Sequence, residues 1–252
     1  MALKKMEEMS ASALRIIISP VCYNEKGKIE KVIVRLKEFL KSKPDFSVMI
    51  VDDCSTDGSG DVINESGLPY ILHENQQGVG VAIRTAIEYA CNNNFDVIVI
   101  MAGNNKDLPI EIPRLIGRIE EGNDFVIGSR FLPGGSYDNT PFYRVIATRY
   151  IHPWVVWLTT SKKFTDTSTG FHAIRTSVFE NSEINLRDEW LEDYDYEMYL
   201  LYKVITLGYK IAEVPASKIY PPRGISYTKM KPITGWWKML RAFFFLRLGL
   251  KK

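Results

Sequence analysis

Val48-Met49-Ile50-Val51-Asp52-Asp53-Cys54-Ser55-Thr56-Asp57-Gly58 is an apolar run that stops at paired carboxylates and a short polar loop. Four apolar residues in succession, most of them β-branched, read as a strand covered on both faces. Upstream, Ile16 to Ile18 is a similar run that leads through Ser19-Pro20 to Tyr23-Asn24-Glu25. Between the two, residues 27–42 place Val32, Leu36, Phe39 and Leu40 on one helical face. Downstream, the periodicity predicts a strand over 70–72, a helix opening at Gly78 and Gly80 and running to about 92, and a strand over 95–101. A helix over 109–121 and a strand over 125–127 follow. Strand and helix thus alternate over the first 130 residues, the pattern of an α/β fold with a mostly parallel central sheet flanked by helices. The second half is less regular: an aromatic-rich stretch over 142–164, a helix over 194–207 and a strand over 211–214.

Composition sets the outer bounds. With 46% hydrophobic and 25% charged residues, the 252-residue chain has ordinary globular composition, enough for one sizeable core. Cys22, Cys54 and Cys91 are odd in number and show no disulfide or metal spacing, so a reducing compartment is expected. No apolar run reaches the eighteen residues of a membrane-crossing helix, and the first fifteen residues lack a signal-peptide core. Gly78-Val79-Gly80 lacks the third glycine of a dinucleotide fingerprint, and no phosphate-loop Gly-Lys-Ser/Thr occurs.

In open α/β sheets ligands bind beyond the carboxyl ends of the strands. Here those ends carry Tyr23-Asn24-Glu25, Asp52-Asp53, Asn104 to Asp107, and Ser129-Arg130. Four polar clusters on one edge predict a cleft for a polar ligand.

The ordered motifs Pro20…Tyr23-Asn24-Glu25 and Val51-Asp52-Asp53-Cys54-Ser55-Thr56-Asp57 resemble the start of family-2 glycosyltransferases with the GT-A (nucleotide-diphospho-sugar transferase) fold. Ile127-Gly128-Ser129-Arg130-Phe131, Phe142-Tyr143-Arg144, Asp166 to Phe171, Glu213-Val214-Pro215 and Arg223-Gly224-Ile225-Ser226 extend the resemblance toward the dolichyl-phosphate mannose synthase-like, polyprenyl-phosphate branch. The resemblance spans about residues 14–230. It implies that Pro20, Tyr23, Glu25 and Asp52 meet the nucleoside of a UDP- or GDP-linked sugar, and that Asp53 shapes the loop. It implies also that Arg130 and Arg144 meet phosphates, and that Asp166, Arg223 and Ser226 lie toward a lipid-phosphate or glycan acceptor. Pro20 stands one residue further from Tyr23 than is usual in that family, and Cys54 replaces a common glycine.

The sharpest departure follows the 95–101 strand. Where the family places an acidic pair that holds Mg²⁺ or Mn²⁺, this chain has Ala102 and Asn104, with Lys106 at a third polar position. Hard divalent cations need anionic oxygen ligands. The reading is therefore of a weak or absent metal site, with Lys106 and Arg130 stabilising the leaving diphosphate and Asn104 on the donor side. Asp107 as a rearranged metal ligand, and a domain that binds without turnover, are the alternatives. An inverting transfer to a hydroxyl needs a general base. Asp193 and Asp195 are the candidates, whereas an ionised lipid phosphate as acceptor needs none.

A basic, aromatic tail over 229–252, beyond a catalytic domain over 1–228, reads as an interfacial helix meeting a membrane surface. A tail packed on the domain or on a partner subunit is the other reading. The expectation is a hexosyltransferase acting at the cytoplasmic face of a membrane in cell-envelope polysaccharide or glycolipid synthesis, with a homo-oligomer left open and no nucleic-acid motif. Its rival is a non-catalytic nucleotide-sugar-binding or scaffold protein.

Overall fold

A computed structural model of the chain describes residues 13–221 and 234–251. The described strands form one sheet: β1 (Ile16–Cys22), β2 (Phe46–Val48), β3 (Ile50–Asp52), β4 (Tyr70–Leu72), β5 (Val97–Ala102), β6 (Phe125–Ser129), β7 (His172–Arg175) and β8 (Ile211–Pro215). Their spatial order is β4-β3-β1-β5-β7-β6-β8, with β2 extending the pairing of β1. All pairings are parallel except those of β7, which runs antiparallel between β5 and β6. The carboxyl ends of β1, β3 and β5 therefore open on one edge.

Alternate residues of each strand feed two cores. One face of the sheet offers Ile17, Val51, Ile98, Ile100 and Ile174 to helix α3 (Val79–Asn92) and to helices from the second half. The other offers Ile16, Ile18, Ile50, Val97 and Val99 to α1 (Ile29–Ser42), α2 (Ser59–Glu65) and α4 (Ile112–Glu120). Burial on both faces explains why the strands are continuously apolar. Helix α1 buries Val32, Ile33, Leu36 and Phe39, one stripe at helical spacing. Helix α4 carries Pro113 in its first turn, where no backbone donor is needed.

Gly78 and Gly80 serve packing. A Cβ on either would collide with carbonyl oxygens of the 191–193 segment, and the Gly80 amide donates to the Glu192 carbonyl at 2.9 Å. Gly78 also takes φ +101°, open to glycine alone at low cost.

The aromatic-rich stretch is one continuous helical run: α5 (Phe142–Ile146), a wide π turn (Ala147–Ile151), then α6 (His152–Thr160). After α7 (Asp195–Thr206) and β8, the chain ends in α8 (Thr234–Arg247). The placement of α8 differs from a free interfacial helix. Met239, Ala242, Phe243 and Leu246 join the core, and the Phe243 ring meets His152 and Tyr202 edge-on at 5.8 and 6.2 Å. Lys238 and Arg241 pair with carboxylates of the α7 start. Met239, Phe243 and Leu246 lie inward because α6 and α7 supply an apolar floor and an acidic rim, whereas Trp237 and Leu248 stay exposed. No helix among the described residues is long and apolar enough to cross a membrane.

Candidate active site

Three loops meet at the carboxyl ends of β1, β3 and β5. Each holds a non-glycine residue in the left-handed region: Asn24 (φ 49°), Cys54 (φ 61°) and Asn105 (φ 61°). Such residues persist where surrounding contacts over-determine them, and they gather at functional sites. The first two loops are laced together. The Asn24 amide donates to Ser55 Oγ at 2.8 Å, and Asn24 Oδ1 accepts from the Thr56 amide at 2.7 Å.

The residues expected on the nucleoside side line this junction. Tyr23 donates to Gln76 Oε1 at 3.0 Å, and Glu25 pairs with Lys28 at 2.5 Å. Asp52, fully buried, accepts from the hydroxyl and amide of Ser55. Asp53 accepts from the amides of Gln77 and Gly78 at 2.9 and 2.8 Å and contacts His73 Nδ1 at 2.8 Å. It thereby ties the end of β3 to the start of α3. Pro20 is buried within β1, in register with Met101, one layer beneath the loops.

At the end of β5 the chain turns through Asn104, whose Oδ1 accepts from the Lys106 amide at 3.2 Å. Lys106 is only 5% exposed, and its ammonium sits 4.2 Å from the centre of the Tyr220 ring. Burial, then the neighbouring charges of Lys218 and Arg144, push its pKa down to about 7. Asp107 lies beneath. Its Oδ1 receives Lys218 at 2.7 Å and its Oδ2 the Ala102 amide at 3.1 Å. The segment after β8 straps this loop down: Ile219 donates to the Lys106 carbonyl, and Ser217 donates twice to Glu111.

The donor set does not fit a divalent cation. Ala102 offers no ligand, Asn104 only a neutral oxygen, and both oxygens of Asp107 are already engaged. A buried ammonium beside them adds repulsion. What the site does offer is a cationic corner of Lys106, Lys218 and Arg144. Among the described residues Arg144 Nε is buried without a hydrogen-bond partner, and its guanidinium stands 5.9 Å from the same Tyr220 ring. Such a corner can receive the charge of a diphosphate.

The arrangement around Arg130 departs from a phosphate contact. Its Nε and Nη2 form a bidentate pair with Asp166 at 2.6 and 2.7 Å, and Nη2 also reaches Ser168. Both partners are buried, so Arg130 holds the 165–169 loop and Asp166 faces inward rather than toward an acceptor. Glu213 completes the loop by accepting from the amides of Thr165 and Asp166.

The two candidate bases point at the terminal helix. Asp195 is buried in a bidentate pair with Arg241 at 2.8 and 2.6 Å, and Asp193 meets Lys238 at 2.5 Å. Acids of a helix start that are paired this way anchor α8 to α7. Arg223 and Ser226 lie outside the described residues.

Sequence reasoning missed Lys218 and placed Glu197 behind Asp193 and Asp195. Lys218 follows a strand parallel to β6, so its neighbourhood of the cleft was readable in principle, but its partner Asp107 is 111 residues away. Glu197 belongs to the same acidic run as Asp193 and Asp195. Burial pushes its pKa up to about 7, against the lowering effect of Lys218. A Cβ at position 170 would stand 2.7 Å from Glu197 Oε1, so the carboxylate would have to shift to admit one.

Comparison with known proteins bears on the family and the fold. The model of Glycosyl transferase family 2 matches residues 17–182. A polyprenol monophosphomannose synthase of Mycolicibacterium smegmatis is 26% identical over 221 residues, 85% of this chain and 80% of its own. An undecaprenyl-phosphate mannosyltransferase of Micrococcus luteus is 26% identical over 94% of this chain and all of its own. Among solved structures, glucosyl-3-phosphoglycerate synthase of Mycobacterium tuberculosis with Mn²⁺, uridine diphosphate and phosphoglyceric acid superposes with a TM-score of 0.68. It is 18% identical, over 99% of this chain and 84% of its own. That likeness establishes the GT-A fold. With the sheet and the family model in accord, the chain belongs to glycosyl transferase family 2 and is a glycosyltransferase.

Proposed function

We propose that the chain transfers a sugar from a nucleoside diphosphate sugar to a polyprenyl phosphate at the cytoplasmic face of a membrane, with inversion and without a divalent metal. The observation that carries this reading is the buried Lys106 ammonium, flanked by Lys218 and Arg144, where the family places its acidic pair. In the transfer the bond from the anomeric carbon to the diphosphate oxygen breaks, and the electron pair leaves with the nucleoside diphosphate. A phosphate oxygen of the acceptor forms the new bond from the opposite face. Fixed cations aimed at the leaving oxygens lower the barrier because charge accumulates there. The acceptor oxygen is already ionised, so no base is required. That agrees with Asp193 and Asp195 being paired to Lys238 and Arg241.

The names of the two relatives, a polyprenol and an undecaprenyl-phosphate enzyme, support the acceptor class. The test is incubation of the purified chain with a short-chain prenyl phosphate and each of a panel of UDP- and GDP-sugars. The glycolipid would be isolated and its anomeric configuration read by NMR. A product of configuration opposite to the donor is expected. Diphosphate binding with no product from any donor would replace this reading with a non-catalytic binder.

A further inference from the structure

The run from Phe142 to Thr160 has an outer face that a soluble monomer does not require. Phe142, Tyr143, Ile146, Tyr150, Trp154 and Trp157 are exposed along it, Phe142 at 79% and Tyr150 at 60%. Their spacing keeps them on one side, while Ala147, Thr148, His152, Val155 and Val156 fill the other. The π turn at 147–151 adjusts the register between the two helices, so the exposed residues continue as one stripe. Contiguous exposed apolar faces on this scale mark an interaction site.

Charge selects the occupant. Between Asp138 and Asp166 the chain carries no acidic residue, but it carries Arg144, Arg149, Lys162 and Lys163. Arg149, Lys162 and Lys163 are exposed, and the Lys163 ammonium lies 5.8 Å from the Trp157 ring. Helix α8, packed against the same bundle, holds no acid either. Tryptophan and tyrosine flanked by lysine and arginine are the residues that settle at headgroup depth on anionic lipid.

We infer that the outer face of residues 142–158, rather than the C-terminal helix, is the surface by which this enzyme docks on an anionic lipid bilayer. The inference rests on the proposed lipid-phosphate acceptor, and it adds an orientation. The stripe and Arg144 share one turn of α5: Phe142, Tyr143 and Ile146 face outward, while Arg144 turns toward Tyr220 and the Lys106 corner. A bilayer against the stripe brings headgroup-level phosphates beside Arg144, with the prenyl tail left in the lipid. The negative surface potential of such a bilayer attracts these basic residues, so docking depends on both salt and anionic lipid.

The experiment is co-sedimentation of the full chain with vesicles of phosphatidylcholine containing 0 or about 30% phosphatidylglycerol, an anionic fraction chosen to give an appreciable surface potential. It compares the wild type, Trp154→Glu/Trp157→Glu and Val34→Glu. Val34 is 64% exposed on α1 and serves as the control for adding charge to an exposed apolar site. Binding to the anionic vesicles is expected for the wild type and Val34→Glu, with a loss of at least tenfold for the double variant, and binding should weaken as salt rises. Turnover with a water-soluble short-chain prenyl phosphate should be the same in all three, which reports on folding and on the transfer reaction separately from docking. Equal vesicle binding by the double variant would overturn the inference. So would failure of the wild type to bind while sedimentation equilibrium shows a dimer that the double variant loses, because the face would then join two copies of this chain.

Discussion

Donor binding should draw a proton onto the enzyme, and the amount follows from Lys106. Burial, with Lys218 and Arg144 nearby, holds its pKa at about 7 against 10.5 for a free side chain. Keeping the ammonium charged with no bound anion beside it therefore costs on the order of 5 kcal/mol. A diphosphate beside it removes that cost and restores the proton. With a free-enzyme pKa of about 7, Lys106 is about nine-tenths neutral at pH 8 and one-tenth neutral at pH 6. Binding should then take up about 0.9 proton at pH 8 and about 0.1 at pH 6, with affinity falling roughly tenfold per pH unit above 7. The assay is calorimetric titration with UDP-glucose and GDP-mannose, whose phosphodiesters do not titrate in this range, in buffers of differing ionisation enthalpy. Glu197, which burial pushes up to about 7, also titrates in this range, so Glu197→Gln is a control and should retain the uptake. Lys106→Met should lose it. The same linkage predicts that Lys106→Met unfolds at higher denaturant near pH 7, since the folded-state pKa lies below the unfolded one and stability rises with pH between about 7 and 10. Affinity independent of pH from 6 to 9, with no proton uptake, would refute the placement of Lys106 at the diphosphate.

Asp166→Asn should destabilise the fold by about 3–5 kcal/mol in urea denaturation, because it leaves the buried Arg130 without its counter-charge. Asp195→Asn should weaken the α7–α8 joint by about 2–3 kcal/mol while leaving turnover of the folded fraction intact, which separates an anchoring role from that of a base. A large loss of kcat at full stability would restore Asp195 as the base. Gly80→Ala should lower the denaturation midpoint by the equivalent of about 1–3 kcal/mol, since the added Cβ meets the Leu191 carbonyl.

The first half of the fold was legible because burial on both faces writes itself as apolar runs, and the helices between them carry one clean stripe, as in α1. Strand β2, helix α2 and two later elements escaped. Strand β7 is four residues long, His172–Arg175, with polar ends and no apolar run to announce it. The 142–160 run conceals its helical period because its outer face is as apolar as its inner one. The polar strand ends of β1, β3 and β5 were readable, and so was the missing acidic pair, from Ala102 and Asn104. Pairings were not. Whether Asp195 meets a substrate or Arg241, and whether Arg130 meets a phosphate or Asp166, depends on partners 46 and 36 residues away. Such contacts appear only once the chain has folded.

The central claim is that fixed cations replace the metal, and it is tested most directly by the rate of sugar transfer to prenyl phosphate in EDTA and in Mn²⁺, for wild type and Lys106→Met. Wild-type rates should be equal under the two conditions, and the variant should be slower by roughly 100-fold or more with no rescue by Mn²⁺. A wild-type enzyme that is inert in EDTA and restored by Mn²⁺ would contradict the account.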